Sequence, residues 1–129
     1  MKLGGVNRAL SFGLHAGGKG VNVSRVLTLM KVNNIALVPM AKVNGDFFLN
    51  AAESESLRLE ILPIGSPLRF NVSLVHEGIT TKVNAESSPW TSTEAKRIAG
   101  RFKLRARRSE FGVIGGSLPA GLDPAWLAK

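Results

Sequence analysis

Apolar residues recur along this chain at two spacings, and their order predicts its elements. Ala9 to Leu14 reads as a short strand. Val23, Val26, Leu27 and Met30 then fall at i, i+3, i+4 and i+7, one apolar stripe of an amphipathic helix. Asn33-Asn34 makes a turn, and Ile35 to Met40 reads as a buried strand. Gly45-Asp46 opens a second helix over residues 47–55, with Phe47, Phe48, Ala51 and Ala52 inward. Leu57, Leu59 and Ile61 alternate with Arg58 and Glu60, a half-buried strand ending near Pro63. Strand, helix, strand, helix, strand is the order of an α/β sheet with crossover helices.

The pattern then changes. From Arg69 to His76, Phe70, Val72 and Leu74 lie on one face and Asn71 and Ser73 on the other. Glu77-Gly78 is a hairpin turn, and Ile79 to Asn84 runs back, a flap appended to the sheet. Thr91 and Glu94 fit the capping box S/T-x-x-E and open a helix through Arg108. Phe111-Gly112-Val113-Ile114 resumes the buried-strand pattern, Gly115 to Gly121 makes a tight loop, and Asp123-Pro124 caps a last helix. No repeat or low-complexity linker divides the chain, so residues 1–129 form one unit.

Composition narrows the partners. Of the 129 residues 44% are hydrophobic, too many for a disordered chain. Cysteine is absent, which removes disulfides and thiolate chemistry and fits a reducing compartment. Met1-Lys2-Leu3-Gly4-Gly5 leads into no apolar signal region, and the longest apolar run, Ile35 to Ala41, is too short to span a membrane. A cytoplasmic protein with no membrane contact is expected. Seventeen basic residues against nine acidic ones give a net charge of +8, which favours polyanions or phosphorylated metabolites. Arg97, Arg101, Arg105 and Arg108 share one helix face, beside Lys96, Lys103 and Arg107. Such a face could bind nucleic acid without regard to sequence and in a salt-dependent way. Phe102 is its one aromatic residue, and a charged helix face is usually just solvated, so this reading ranks low.

The most informative run is His15-Ala16-Gly17-Gly18-Lys19-Gly20-Val21-Asn22-Val23-Ser24-Arg25. Its glycines fall where a strand turns into a helix, so a ligand can approach the backbone and the first-turn N–H groups favour an anion. Lys19 adds a point charge, and Asn22 can both donate and accept hydrogen bonds, as a polyol requires. The run is not a P-loop, because Gly20 stands where Ser or Thr should follow Lys19. It is not a dinucleotide fingerprint either, because Val23 holds the last Gly/Ala position. The plain alternative is a Gly-rich turn before a core helix. Around Ser117, a nucleophile elbow fails at Pro119, and both histidines, His15 and His76, lie upstream.

The run resembles the substrate signature of the ribokinase/PfkB family of carbohydrate kinases, Gly-Gly-x-Gly-x-Asn-x-Ser/Ala-Arg, most of all in its phosphofructokinase branch. Two further stretches agree with it. Arg69-Phe70-Asn71 with Thr81-Lys82-Val83-Asn84 resembles the family's Arg-x-Asn and Thr-x-x-Asn lid, and Gly116-Ser117-Leu118-Pro119-Ala120-Gly121 resembles its Gly-Ser-Leu-Pro-x-Gly loop. The resemblance implies a ribokinase-like α/β fold: an open, mostly parallel sheet with flanking helices and a small β-hairpin lid. Lid strands are expected near 9–15 and 69–84. It implies a phosphorylated sugar, a fructose phosphate, bound by Gly17, Gly18, Lys19, Asn22, Arg69, Asn71 and Ser117, with Arg8 as an extra phosphate contact. An arginine lid can grip phosphate in a bidentate way that lysine cannot copy. The plain alternative for that hairpin is a surface feature with solvated charges. Lid hairpins of the family pair between subunits, so a homodimer through residues 69–84, or a purely non-catalytic dimerisation module, is a further expectation.

Departures limit the activity. The family's opening strand with its substrate-binding aspartate should precede residue 1, and the nucleotide-binding half should follow residue 129. ATP and Mg2+ are implied by the resemblance, but the Gly-Ala-Gly-Asp carrying the general base does not occur here, so no catalytic residue is assigned. Asn50-Ala51-Ala52-Glu53 spells the magnesium-linked Asn-x-x-Glu on an early helix, in the wrong context. The expectation is a truncated, incomplete fold that binds a sugar phosphate and does not by itself transfer phosphate.

Overall fold

The computed structural model describes residue 2 and residues 4–41 and 45–128, with backbone alone for 127 and 128. Both ends of the expected 1–129 unit, Met1 and Lys129, lie outside the described residues. In chain order the elements are α1 (Lys19–Leu29), β1 (Ala36–Met40), α2 (Asp46–Ser54), β2 (Leu59–Pro63), β3 (Asn71–His76), β4 (Ile79–Asn84), α3 (Ser92–Ala106) and a 3-10 turn at Pro124–Ala128.

The core lies around a parallel pair. β1 runs beside β2 in the register Ala36↔Leu59 to Met40↔Pro63, and α2 is the crossover between them. Ala36, Val38 and Met40 are buried at every second position, as a pleated strand demands. They pack in one cluster with Ala16, Val21, Phe48, Ala52 and Leu57, and Ala51, Leu59, Ile61 and Leu68 lie against it. Gly45 is fixed by space: a Cβ there would stand 2.9 Å from Met40 Cε and 3.2 Å from the Ala41 carbonyl. Phe47, expected inward, is 57% exposed, because Phe48 and Ala52 form the buried side of α2.

Of the stripe expected on α1 only Leu27 is half-buried, and the rest faces outward. Val21 and Ser24 turn to the core, while Val23, Val26 and Met30 are exposed. A buried polar residue is tolerated here because it is satisfied. Ser24 Oγ donates to Asn34 Oδ1 at 2.5 Å, and Asn34 Nδ2 donates in turn to Thr28 Oγ1 and the Val32 carbonyl. Counting apolar positions alone selects the wrong face.

Glu60 on β2 explains a second departure. Arg101 Nε donates to Glu60 Oε1, and Arg105 Nε donates to Glu60 Oε2 at 2.7 Å. Two of the four arginines read as a solvated face therefore turn onto the sheet and are committed to one carboxylate. Leu62, on the same side of β2 as Glu60, is buried, as are Ala95 and Ile98 of α3. The bond from Arg101 chiefly, with Arg105, holds the Glu60 carboxyl below the usual glutamate range.

At the start of α3 the capping box is complete. Glu94 N donates to Thr91 Oγ1 at 3.2 Å, and Thr91 N donates to Glu94 Oε2 at 2.7 Å. Glu94 Oε1 also accepts from Gly65 N at 2.6 Å, and Ser66 Oγ donates to the Pro89 carbonyl at 3.1 Å. These bonds join the two segments that enter and leave the hairpin β3–β4, whose register runs from Asn71↔Asn84 to His76↔Ile79. Its two-residue turn places Glu77 at φ 51° and Gly78 at φ 77°, the left-handed pair that matches strand twist. Every residue of both strands is exposed, so the flap stands clear of the core.

Two expected strands are absent. Residues 9–14 join no ladder and bend at Leu10, with Leu10 105% and Phe12 89% exposed, so the lid strand expected near 9–15 does not form. Phe111 to Ile114 is likewise unpaired and exposed rather than buried. A strand exists only by hydrogen bonding to a neighbour, and the described residues offer these two none. The last helix is a short 3-10 turn: Asp123 Oδ1 accepts from Ala125 N at 2.7 Å, and Trp126 meets Trp90 edge to face, with centroids 6.1 Å apart. Among the described residues the architecture is a small α/β arrangement of one parallel pair and one antiparallel hairpin.

Because Glu60 has a lowered pKa in the folded state, its contribution is present above the unfolded glutamate value, about 4.3. It is lost as the pH falls through the lower folded value. Thermal unfolding of Glu60→Gln should therefore show a melting temperature below wild type at pH 7, with the gap closing as the pH falls below that range. A gap of constant size down to pH 2 would contradict the ion-pair account.

Candidate functional site

The Gly-rich bend sits where the chain leaves the buried Ala16 and enters α1. Gly18 is the N-cap at φ 120°, ψ 140°, a region that only glycine occupies readily. Its carbonyl accepts from Asn22 N at 2.8 Å, the first bond of the helix. The first-turn N–H groups before Asn22 have no partner within the helix, and no acidic residue lies in that turn. A Cβ on Gly17 or Gly20 would meet nothing within 4 Å, so open space lies over the backbone at both positions.

Lys19 joins the bend to the loop after α3. A Cβ on Gly115 would lie 3.6 Å from Lys19 Cβ, so the Gly115–Gly121 loop passes against the start of α1. Gly116, at φ 119°, turns the chain there, Pro119 is buried, and Ser117 is exposed between them. The side chains of Lys19 and Ser117 make no hydrogen bond among the described residues. Gly17, Gly18, Lys19, Asn22 and the Ser117 loop thus share one edge of the fold.

Asn22 is held by its neighbour one turn on. Arg25 Nη1 donates to Asn22 Oδ1 at 2.6 Å, Arg25 Nη2 to the Ala16 carbonyl at 2.6 Å, and Arg25 Nε to Glu55 Oε2 at 2.5 Å. The guanidinium so links the residue before the bend, the bend's asparagine and the end of α2. Asn22 can both donate and accept, but its oxygen already faces Arg25 and its NH2 group remains.

Arg69 precedes β3, Asn71 opens it opposite Asn84, and Arg8 lies in the N-terminal segment before α1, outside any helix or strand. All three are exposed, and no hydrogen bond among the described residues joins them to the bend. The described residues also hold no group of three or more His, Asp or Glu side chains that could hold a metal ion. Asn50 and Glu53 sit exposed on α2. Among the described residues no carboxylate cluster fits the magnesium implied above, and no step is derived through it or through the nucleotide. No helix among the described residues is long and apolar enough to cross a membrane.

Comparison with known proteins follows this geometry. No family model matches the chain. It is 31% identical over 117 residues to the 1-phosphofructokinase of Borreliella burgdorferi, covering 91% of this chain and 38% of that protein. It is 26% identical to the 1-phosphofructokinase of Vibrio cholerae, over the whole of this chain and 42% of that one. A structure from Staphylococcus aureus, provisionally named a phosphofructokinase, superposes with a TM-score of 0.81 at 28% identity, covering 99% of this chain and 41% of its own. Phosphofructokinase-2 of Escherichia coli, solved with fructose-6-phosphate, gives a TM-score of 0.82 at 20% identity over 98% of this chain and 42% of its own. Over nearly its whole length the chain is similar to 1-phosphofructokinases and to solved phosphofructokinases. Its fold is the corresponding part of the ribokinase-like plan, and it spans about two fifths of the length of these relatives.

The residues that the sequence pattern does not single out for this site are Arg25 and Glu55. Arg25 is the last letter of the signature and lies at i+3 from Asn22, on the same helix side, so its reach to Asn22 was readable. Its bond to Glu55, 30 residues away, was not.

Gly18→Ala should destabilise the chain by about 1–3 kcal/mol, because alanine must adopt a glycine-only conformation. Gly20→Ala, inside α1 with open space around it, should be neutral or stabilising by up to about 1 kcal/mol. Equal melting temperatures for the two variants would show that the bend is not held as described.

Proposed function

We propose that this chain is the sugar-phosphate-binding portion of a PfkB-type kinase, with a fructose phosphate as its ligand. The observation that carries the reading is the adjacency of bend and loop through Lys19 and Gly115. It gathers an ammonium group, unpaired amide N–H groups, the Asn22 NH2 and the Ser117 hydroxyl at one edge. All but the hydroxyl are donors only, which suits the oxygens of a phosphorylated polyol. Arg69 and Asn71 on the hairpin, with Arg8, complete the site when the flap folds over it. ATP, Mg2+ and the general base belong to a nucleotide-binding portion outside residues 1–129, so this chain binds substrate without transferring phosphate. The relatives' length supports this division, as do the exposed apolar residues of α1 and of residues 111–114, which a further portion of sheet and helix would cover. A cytoplasmic location fits the cysteine-free composition.

One observation favours a second role for the hairpin. Its register puts Val72, Leu74, Ile79 and Val83 on one face, fully outside the core. Pairing of two such faces would make a homodimer. Nucleic-acid binding is weakened by the commitment of Arg101 and Arg105 to Glu60.

Titration calorimetry at low salt should give saturable binding of fructose 1-phosphate in the millimolar range, weaker binding of fructose, and roughly tenfold loss in Lys19→Ala, the scale of one charge-assisted bond. Addition of ATP and Mg2+ should yield no sugar-dependent ADP. Absence of saturable heat at millimolar ligand would overturn the binding reading, and sugar-dependent ADP would overturn the division of labour.

A further inference from the structure

Arg25 lies outside the set of groups that face the ligand in the reading above, yet it contacts one of them directly. Its guanidinium has donors only, so the Asn22 atom 2.6 Å from Nη1 must be the amide oxygen. The other two nitrogens are anchored, Nη2 on the Ala16 carbonyl and Nε on Glu55. A fork held at two further points cannot swing aside to let the amide flip. Ala16 is fully buried and Glu55 ends α2, so both anchors belong to the packed body.

We propose that Arg25 is a positioning residue that fixes the Asn22 side chain with its NH2 group toward the ligand, making Asn22 a hydrogen-bond donor to a substrate oxygen. The inference rests on the sugar-phosphate reading and deepens it. It assigns the polarity of one contact. A ligand group that must itself donate, such as an amine, is refused at this point, while a phosphate or hydroxyl oxygen is accepted. Lysine cannot replace Arg25, because a single ammonium group lacks the planar fork that serves Ala16, Asn22 and Glu55 together.

Two substitutions separate positioning from general support. Asn22→Asp keeps an acceptor for Arg25, and adds a charge to that bond, but removes both donors. It should melt at or above the wild-type temperature and bind fructose 1-phosphate at least tenfold more weakly. Arg25→Lys should lower the melting temperature modestly and, at a temperature where circular dichroism shows it folded, also lose about tenfold in affinity. Asn22→Asp binding as tightly as wild type, or folded Arg25→Lys doing so, would overturn the proposal. Should Arg25→Lys not fold, Asn22→Asp alone decides. If wild type itself binds no fructose 1-phosphate, the function reading falls and this inference with it. Wild-type binding with unaffected variants removes the inference alone.

Discussion

The five-residue parallel register of β1 on β2 is the contact on which the rest of the molecule depends. It buries Ala36, Val38 and Met40 on one strand and fixes where α2 must cross. Once α2 is fixed, its end presents Glu55, and Arg25 can reach back from α1 to meet it. The same guanidinium bonds the Ala16 carbonyl and Asn22 on either side of the Gly-rich bend. Without the strand pair neither anchor of Arg25 would be where it is.

Arginine–carboxylate contacts also explain how a chain of net charge +8 stays organised. Glu55 takes Arg25, and Glu60 takes Arg101 and Arg105, each half-sheltered from solvent. Partly buried pairs of this kind are screened less than surface ones, so they hold geometry as well as charge. The cations not used this way include Lys19 at the bend and Arg69 at the flap.

Local signals in the sequence were legible and distant ones were not. The capping box of Thr91 and Glu94, the Glu77-Gly78 turn and the extents of α1 to α3 depend on bonds within a few residues, and each formed close to where the pattern put it. Ala9–Leu14 and Phe111–Ile114 have strand-like composition, but a ladder needs a second strand, and no residue type announces whether one is present. The buried face of α1 was misassigned for a related reason. Ser24 is buried through Asn34, ten residues on, and a hydropathy pattern scores it as polar. Of the site, the glycine bend and the Ser117 loop were visible as motifs, whereas the three-way hold of Arg25 appears only when Ala16, Asn22 and Glu55 are seen together.

The central claim is that amide groups and Lys19 at the bend, with the Ser117 loop beside them, hold the oxygens of a phosphorylated sugar. Two-dimensional 15N–1H NMR of the whole chain, titrated with fructose 1-phosphate, reads those amides one by one. The account predicts saturable shifts at Gly18, Lys19, Gly20, Val21 and Ser117, with the β1–β2 core unmoved. Shifts confined to α3, or none at saturating ligand, would contradict it.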